Sequence, residues 1–402
     1  MQFGVILLVN ANRILFLLGS SILVGTFAQN LFMPIMPAMQ QEFHTTSTII
    51  NWTVSLFTMA LAIMQVVYGP LVDQYGRRKI LLPALGLYVL GSLGCYMVDT
   101  IQGLLFFRVF QGIGFAAIPI VAATVIGDVF TGAKRAEAMG TYQMMLGIGP
   151  AIGPLLGGWI GGFGGHSAVF LFLTITAICL LAMNATWLPE TKSEQPGAKR
   201  FGLGSFRDIL LQPVGASVIL IGFTQMFAYH AFLLFLPVYL NETYHLSAGQ
   251  IGLVYMLISA VFVLSSKTSG RVQKKWGTRK ALVLTSASHA VATVLFMLAT
   301  NISLPVMLAA SALFGFTLGI GMPTHTTLLS EVFEKERATA IGVYNFIRYI
   351  GMAAGPVVGA ALYGLGGNWL EFGLAAVVIA AAVLFARVQI RKQQQRSIAP
   401  TA

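Results

Sequence analysis

Residues 135–157 read RAEAMGTYQMMLGIGPAIGPLLG, and residues 337–359 read RATAIGVYNFIRYIGMAAGPVVG. At a constant offset of 202, 11 of these 23 positions are identical, among them Arg135, Tyr142, Gly149, Gly153, Pro154 and Gly157. A second echo lies upstream, where GPLVDQYGRRKI at 69–80 matches GRVQKKWGTRKA at 270–281 at offset 201. A third joins Asp128-Val129-Phe130 to Glu331-Val332-Phe333 at offset 203. Self-similarity at a fixed long period means that one structural unit is used twice.

Composition says where those units fold. Only 9% of the 402 residues are charged, against roughly 25% in soluble domains. Apolar stretches of about 20 residues, the length that crosses roughly 30 Å of hydrocarbon, recur along the chain. They fall near 14–36, 50–71, 80–98, 103–128, 138–162, 167–188, 213–239, 249–269, 281–299, 304–330, 338–364 and 370–388. Open sheet edges cannot face lipid, so these twelve spans are expected to be helices of an all-α membrane protein. Two apolar halves in parallel repetition are the mark of a membrane transporter.

The basic residues set the orientation. The segments after every odd-numbered span carry no Lys or Arg, and 22 of the 24 basic residues lie on the opposite side. The positive-inside rule then puts both termini in the cytoplasm. It also accounts for the net charge of +11 by topology and anionic headgroups, with no nucleic acid required. The expected organisation is a first six-helix bundle at 1–188, a cytoplasmic linker at 189–212, a second bundle at 213–388 and a tail at 389–402. The KRFGLGSFRDIL portion of the linker reads as a short helix on the membrane surface. Residues 3–9 precede Arg13 and are too short to span alone, so they read as an interfacial turn or an extended start of the first span. Cys95 and Cys179 both fall in spans and have neither disulfide nor metal spacing, which makes them packing residues.

With two halves, twelve spans and its loop motifs, the chain resembles the major facilitator superfamily over roughly 14–390, and most closely its twelve-helix bacterial drug:proton antiporters. GPLVDQYGRRKIL at 69–81 is similar to that family's loop between helices 2 and 3. The resemblance implies a cytoplasmic gate of Asp73, Arg77 and Asp128, an ion-pair latch that breaks on opening. In the second half Asp73 becomes Lys274 and Arg77 becomes Thr278, so the copy is expected to lack the latch. RVFQGIGFAAIP at 108–119 resembles the span 4 motif of the proton-linked members, which implies a cavity or proton-linkage role for Arg108 and Gln111. GIGPAIGPLLGGWIGG at 147–162 resembles the span 5 motif associated with exporters. There Gly149, Gly153 and Gly157 form a small-residue stripe that another helix can approach, and Pro150 and Pro154 allow a bend.

One departure from the family pattern bears on cargo. Span 1 ends FAQNLFMPIMPAM, and Asn30, beside Gln29, stands where many such antiporters carry an aspartate. None of the 13 acids falls in the middle of a span, and Glu42, Asp99, Glu242 and Glu371 lie at or near the outer surface. Arg348, by contrast, sits about ten residues into span 11 and shares a face with Tyr344 and Asn345. A cavity with arginine and no carboxylate attracts anions and repels organic cations. His230 and His325 are then the natural candidates for a titrating group, while His289 falls on a peripheral span. Tyr229, Phe227, Phe232 and Phe235 make span 7 aromatic, either as packing or as a wall for a ring-containing substrate.

The expectation is a monomeric, multi-pass exporter of the inner (plasma) membrane, run by protons and moving neutral or anionic small molecules. No nucleotide-binding loop, metal spacing or catalytic constellation is visible, so no cofactor and no enzymatic activity are expected. A dedicated metabolite or siderophore exporter shares every motif. A nutrient:proton symporter fits the fold but fits the span 5 motif less well.

Overall fold

A computed structural model describes residues 2–192, 203–246 and 248–398. Every long element is a helix: α1 (Gln2–Asn30), α3 (Ser47–Tyr75), α4 (Arg77–Met97), α5 (Ile101–Val129), α6 (Gly132–Trp187), α8 (Pro213–Tyr244), α9 (Ala248–Trp276), α10 (Thr278–Ala299), α11 (Leu304–Val332) and α12 (Arg337–Ile398). Two shorter helices, α2 (Met36–Glu42) and α7 (Leu203–Leu211), flank them. Ten helices among the described residues are long and apolar enough to cross a membrane. The chain start is helical from Gln2, so residues 3–9 extend α1 rather than forming a separate turn. Of the linker expected at 189–212, residues 193–202 lie outside the described residues, and Leu203–Leu211 is the short helix anticipated there. The last four residues of the expected tail also lie outside them.

The helix breaks follow the repeat. α6 is broken at Gly164–Gly165 and α12 at Gly366–Gly367, again 202 residues apart. Gly165 has φ +60° and Gly367 φ +64°, a left-handed conformation that glycine adopts without a Cβ clash. The turns between α3 and α4 and between α9 and α10 rest on Gly76 (φ +110°) and Gly277 (φ +77°) in the same way. Thr46 and Thr100 start α3 and α5 by accepting from the amides of Ile49 and Gly103.

The chain groups into two compact units. Unit 1 holds residues 1–131, 145–201 and 335–342, and unit 2 holds 132–144, 202–334 and 343–402. In unit 1, α5 is the central helix and packs on α3 and α4. Glycines allow that approach: a Cβ on Gly112 would strike the Phe57 carbonyl, and one on Gly114 would strike the Tyr88 backbone. In unit 2, α11 takes the equivalent place against α9 and α10. There Phe232, Phe235, Phe296, Phe314 and Phe372 form one aromatic core. Phe232 and Phe235 are therefore packing residues, while Phe227 and Tyr229 are half-buried at the edge of the core.

Candidate functional site

The span 5 glycines act as a helix seam. Gly149 faces Thr26, Gly153 faces Asn30, and Gly157 sits on the Leu31 carbonyl, so this part of α6 lies flush on α1. Pro150 and Pro154 belong to the same helix. In unit 2 the repeated residues Gly351, Gly355 and Gly359 lie on Phe223, Phe227 and Ala231 of α8. Asn30 is buried in the first seam, where its Nδ2 donates back to the Thr26 carbonyl at 2.7 Å. Gln29 beside it is half-buried.

Asp73, Arg77 and Asp128 come together in unit 1. Arg77 Nε donates to Asp128 Oδ2 at 2.9 Å, and its Nη2 stands 3.9 Å from Asp73 Oδ1. Residues that the sequence reading did not single out complete the cluster. Arg337 Nη1 donates to Asp128 Oδ1 at 2.6 Å, and Thr191 Oγ1 donates to Asp128 Oδ2 at 3.0 Å. Asp73 accepts from the Ala338 amide (3.1 Å), the Thr339 amide (2.8 Å) and Thr339 Oγ1 (2.7 Å). Its carboxylate thus caps the first turn of α12, where free amides and the helix dipole favour an anion. Glu190 does the same for α4, accepting from the amides of Arg77 (2.8 Å) and Arg78 (3.2 Å). The copied loop in unit 2 is weaker: Thr278 Oγ1 donates to Glu331 Oε1 at 3.0 Å, a single hydrogen bond where unit 1 has an ion pair. The repeat itself carried a signal for Arg337, which is identical to Arg135.

Arg108 and Gln111 form a buried polar knot in unit 1, in which Arg108 Nη2 has no hydrogen-bond partner among the described residues. Arg108 is fully buried, and it donates to the carbonyls of Thr53 (3.0 Å) and Ala28 (2.9 Å) and to Gln111 Oε1 (2.7 Å). The rings of Phe32 and Phe57 cover the guanidinium, with centroids 4.3 and 4.4 Å away. Gln111 passes the chain on to Ser92 Oγ at 2.8 Å.

Arg348 has a different setting, inside unit 2. Its guanidinium lies 5.6 Å from the ring centroids of both Tyr344 and Tyr349, and Tyr142 also feels its charge. Its Nε has no hydrogen-bond partner, and no carboxylate among the described residues pairs with it. His325 Nδ1 lies 2.8 Å from the Tyr344 hydroxyl, while His325 Nε2 is unpartnered. His230 Nδ1 bonds the Met226 carbonyl at 3.1 Å. The charge of Arg348 acts on both histidines. Asn345 is buried on the same helix. Met226, Met322 and Leu318 pack together nearby, with Tyr229, Phe262 and Met352 against them. Chemically this is a cation among phenols with adaptable thioether surfaces close by, a setting suited to an amphiphilic anion. His289 is instead packed against α11 through Thr317 Oγ1 at 3.0 Å.

Glu371 lies four residues past the Gly366–Gly367 break and is only 2% exposed, beside the buried Phe372.

The Major Facilitator Superfamily model matches residues 18–356 and 290–401. The chain is 27% identical over 380 residues to the Bacillibactin exporter of Bacillus subtilis (strain 168), covering 89% of this chain and 92% of that one. It is 23% identical over 354 residues to Multidrug resistance protein D of Escherichia coli (strain K12), covering 85% and 86%. Its fold is similar to the crystal structure of the human organic anion transporter MFSD10 (TETRAN), with a TM-score of 0.78 at 17% identity over 93% of this chain and 99% of that one. Apolar helices broken at repeated glycines, a duplicated loop and a family match along nearly the whole length lead to one assignment: the chain belongs to the Major Facilitator Superfamily of multi-pass membrane transporters.

Proposed function

We propose that this transporter is a proton-driven exporter of neutral or anionic amphiphiles, placed in the plasma membrane with twelve spans and both termini in the cytoplasm. Arg348 carries the cargo reading. A cation inside an apolar bundle is costly, and one kept without a carboxylate partner is a ready site for a ligand's negative charge. Tyr344 and Tyr349 lie against it, and Tyr142, His325 and His230 stand within its field, the two histidines as candidates for proton exchange. The Asp73–Arg77–Asp128 cluster is read as the cytoplasmic latch, re-formed and broken in each cycle. Export is supported by the glycine seam of span 5 and by relatives named as exporters or resistance proteins. A dedicated siderophore exporter is the second reading, favoured by the relative named Bacillibactin exporter.

The test is reconstitution in vesicles with an imposed pH gradient. Three matched probes are offered: 2-naphthoate, 2-naphthamide and 2-naphthylmethylamine. The expected result is gradient-driven movement of the acid and the amide, with the acid's movement lost in Arg348→Ala. Movement mainly of the amine, untouched by the substitution, would contradict the proposal.

A further inference from the structure

Glu371 is the acid that the gate does not use and that the apolar core nevertheless encloses. It sits one turn past the Gly366–Gly367 break, at the start of the final segment of α12. It is 2% exposed, and its Oε2 has no hydrogen-bond partner among the described residues. Oε1 lies against Gly359 at the end of the glycine seam: a Cβ built there would meet it at 2.7 Å and the Ala231 Cβ at 3.0 Å. The absence of a side chain at Gly359 is what leaves room for the carboxyl.

Among the described residues, no group on the packed helices neutralises it. On α8, His230 bonds the Met226 carbonyl and Tyr239 donates to the Thr300 carbonyl. On α12, Tyr363 turns its ring to Phe235. On α10, His289 is held by Thr317. Arg348 precedes Gly359 by 11 residues, about 16 Å along a helix rising 1.5 Å per residue, beyond the reach of an ion pair. An ionised carboxyl left unpaired in an apolar interior is costly, and such a group takes a proton instead. Buried carboxyls in spans mark proton relays for this reason.

We infer that Glu371 is a proton-binding site of this transporter, holding a proton on its carboxyl in the enclosed arrangement described here and releasing it when the α8–α12 seam admits water. Only an O–H bond forms and breaks, and the proton comes from and returns to the aqueous phase. The inference rests on the proton-driven reading above and names a residue for it. The site lies about three turns beyond Arg348 along the first part of α12, so proton and cargo occupy separate places in one unit.

The test is infrared difference spectroscopy on the reconstituted protein, perfused alternately with acidic and alkaline buffer. The probe is the proton itself, so the result does not depend on the cargo. Wild type should show a buried protonated-carboxyl band that titrates and that persists in Asp73→Asn, which removes the other buried acid among the described residues. The band should vanish in Glu371→Gln and move in Glu371→Asp. Gradient-driven 2-naphthoate movement should fall at least tenfold in Glu371→Gln and recover in Glu371→Asp. No such band in wild type, or the same band in Glu371→Gln, would overturn the inference. A failure of the proton-driven reading looks different: wild-type movement indifferent to the pH gradient, a result the infrared band does not report.

Discussion

Arg108 and Arg348 are both arginines inside apolar helices with no carboxylate partner among the described residues, yet their surroundings differ. Arg108 Nε and Nη1 donate to two backbone carbonyls and Gln111, Nη2 has no hydrogen-bond partner among the described residues, and two phenylalanine rings cover the guanidinium. It ties α1, α3 and α5 together. Truncation in Arg108→Ala leaves buried acceptors unmet, at a cost of about 1–3 kcal/mol each. Thermal unfolding in detergent should therefore show a clearly lowered midpoint, and Arg108→Lys should not restore it, because an ammonium cannot reproduce the planar fork between two rings. An unchanged midpoint in Arg108→Ala would remove the tie. The sequence placed both arginines inside spans but could not separate them. The partners of Arg108 lie 55 and 80 residues away along the chain, and hydropathy carries no trace of them. The enclosure of Glu371 was hidden for a related reason, since its approach to Gly359 is set by the fold and not by hydropathy.

At the scale of elements, the glycine seams are the feature most legible beforehand. Gly149, Gly153 and Gly157 recur 202 residues on as Gly351, Gly355 and Gly359, and both triplets lie against a neighbouring helix backbone. Gly157→Leu should abolish folded protein, measured as monodisperse yield by size exclusion, because its Cβ would fall on the Leu31 carbonyl. Gly162→Ala should be tolerated, since nothing lies within 4 Å of a Cβ there. Equal yields from the two variants would contradict the seam. The cap on α12 was less legible. Asp73 was expected to pair with Arg77, yet its shorter contacts go to the amides and hydroxyl of Ala338 and Thr339, 265 and 266 residues away. A cap of this kind contributes about 1 kcal/mol. Asp73→Asn should therefore raise hydrogen exchange at residues 338–340 several-fold while exchange in the α5 core stays unchanged. Unaltered exchange at α12 would show that the carboxylate does not hold the helix start.

For the molecule as a whole, the duplication organises more than the helices. The tight turns at Gly76 and Gly277 and the breaks at Gly165 and Gly367 repeat, while the chemistry diverges between the copies. One copy keeps Asp73 and Arg77, and the other keeps Arg348 where the first has Leu146. In the proposed function, latching falls to one set of residues and cargo charge recognition to another, with Glu371 as the proposed proton site. Cysteine labelling from outside, with single cysteines introduced at residues 2 and 400, should leave both ends unmodified in intact cells. Labelling of either end would reverse the orientation drawn from the basic residues. The most direct measurement is equilibrium binding of the matched acid, 2-naphthoate, and amide, 2-naphthamide, to the purified protein and to Arg348→Gln. Wild type is expected to prefer the acid by about tenfold, equivalent to about 1.4 kcal/mol, and the variant to lose the preference while still binding the amide. Equal affinities in wild type, or an acid preference that survives in Arg348→Gln, would contradict the proposed function.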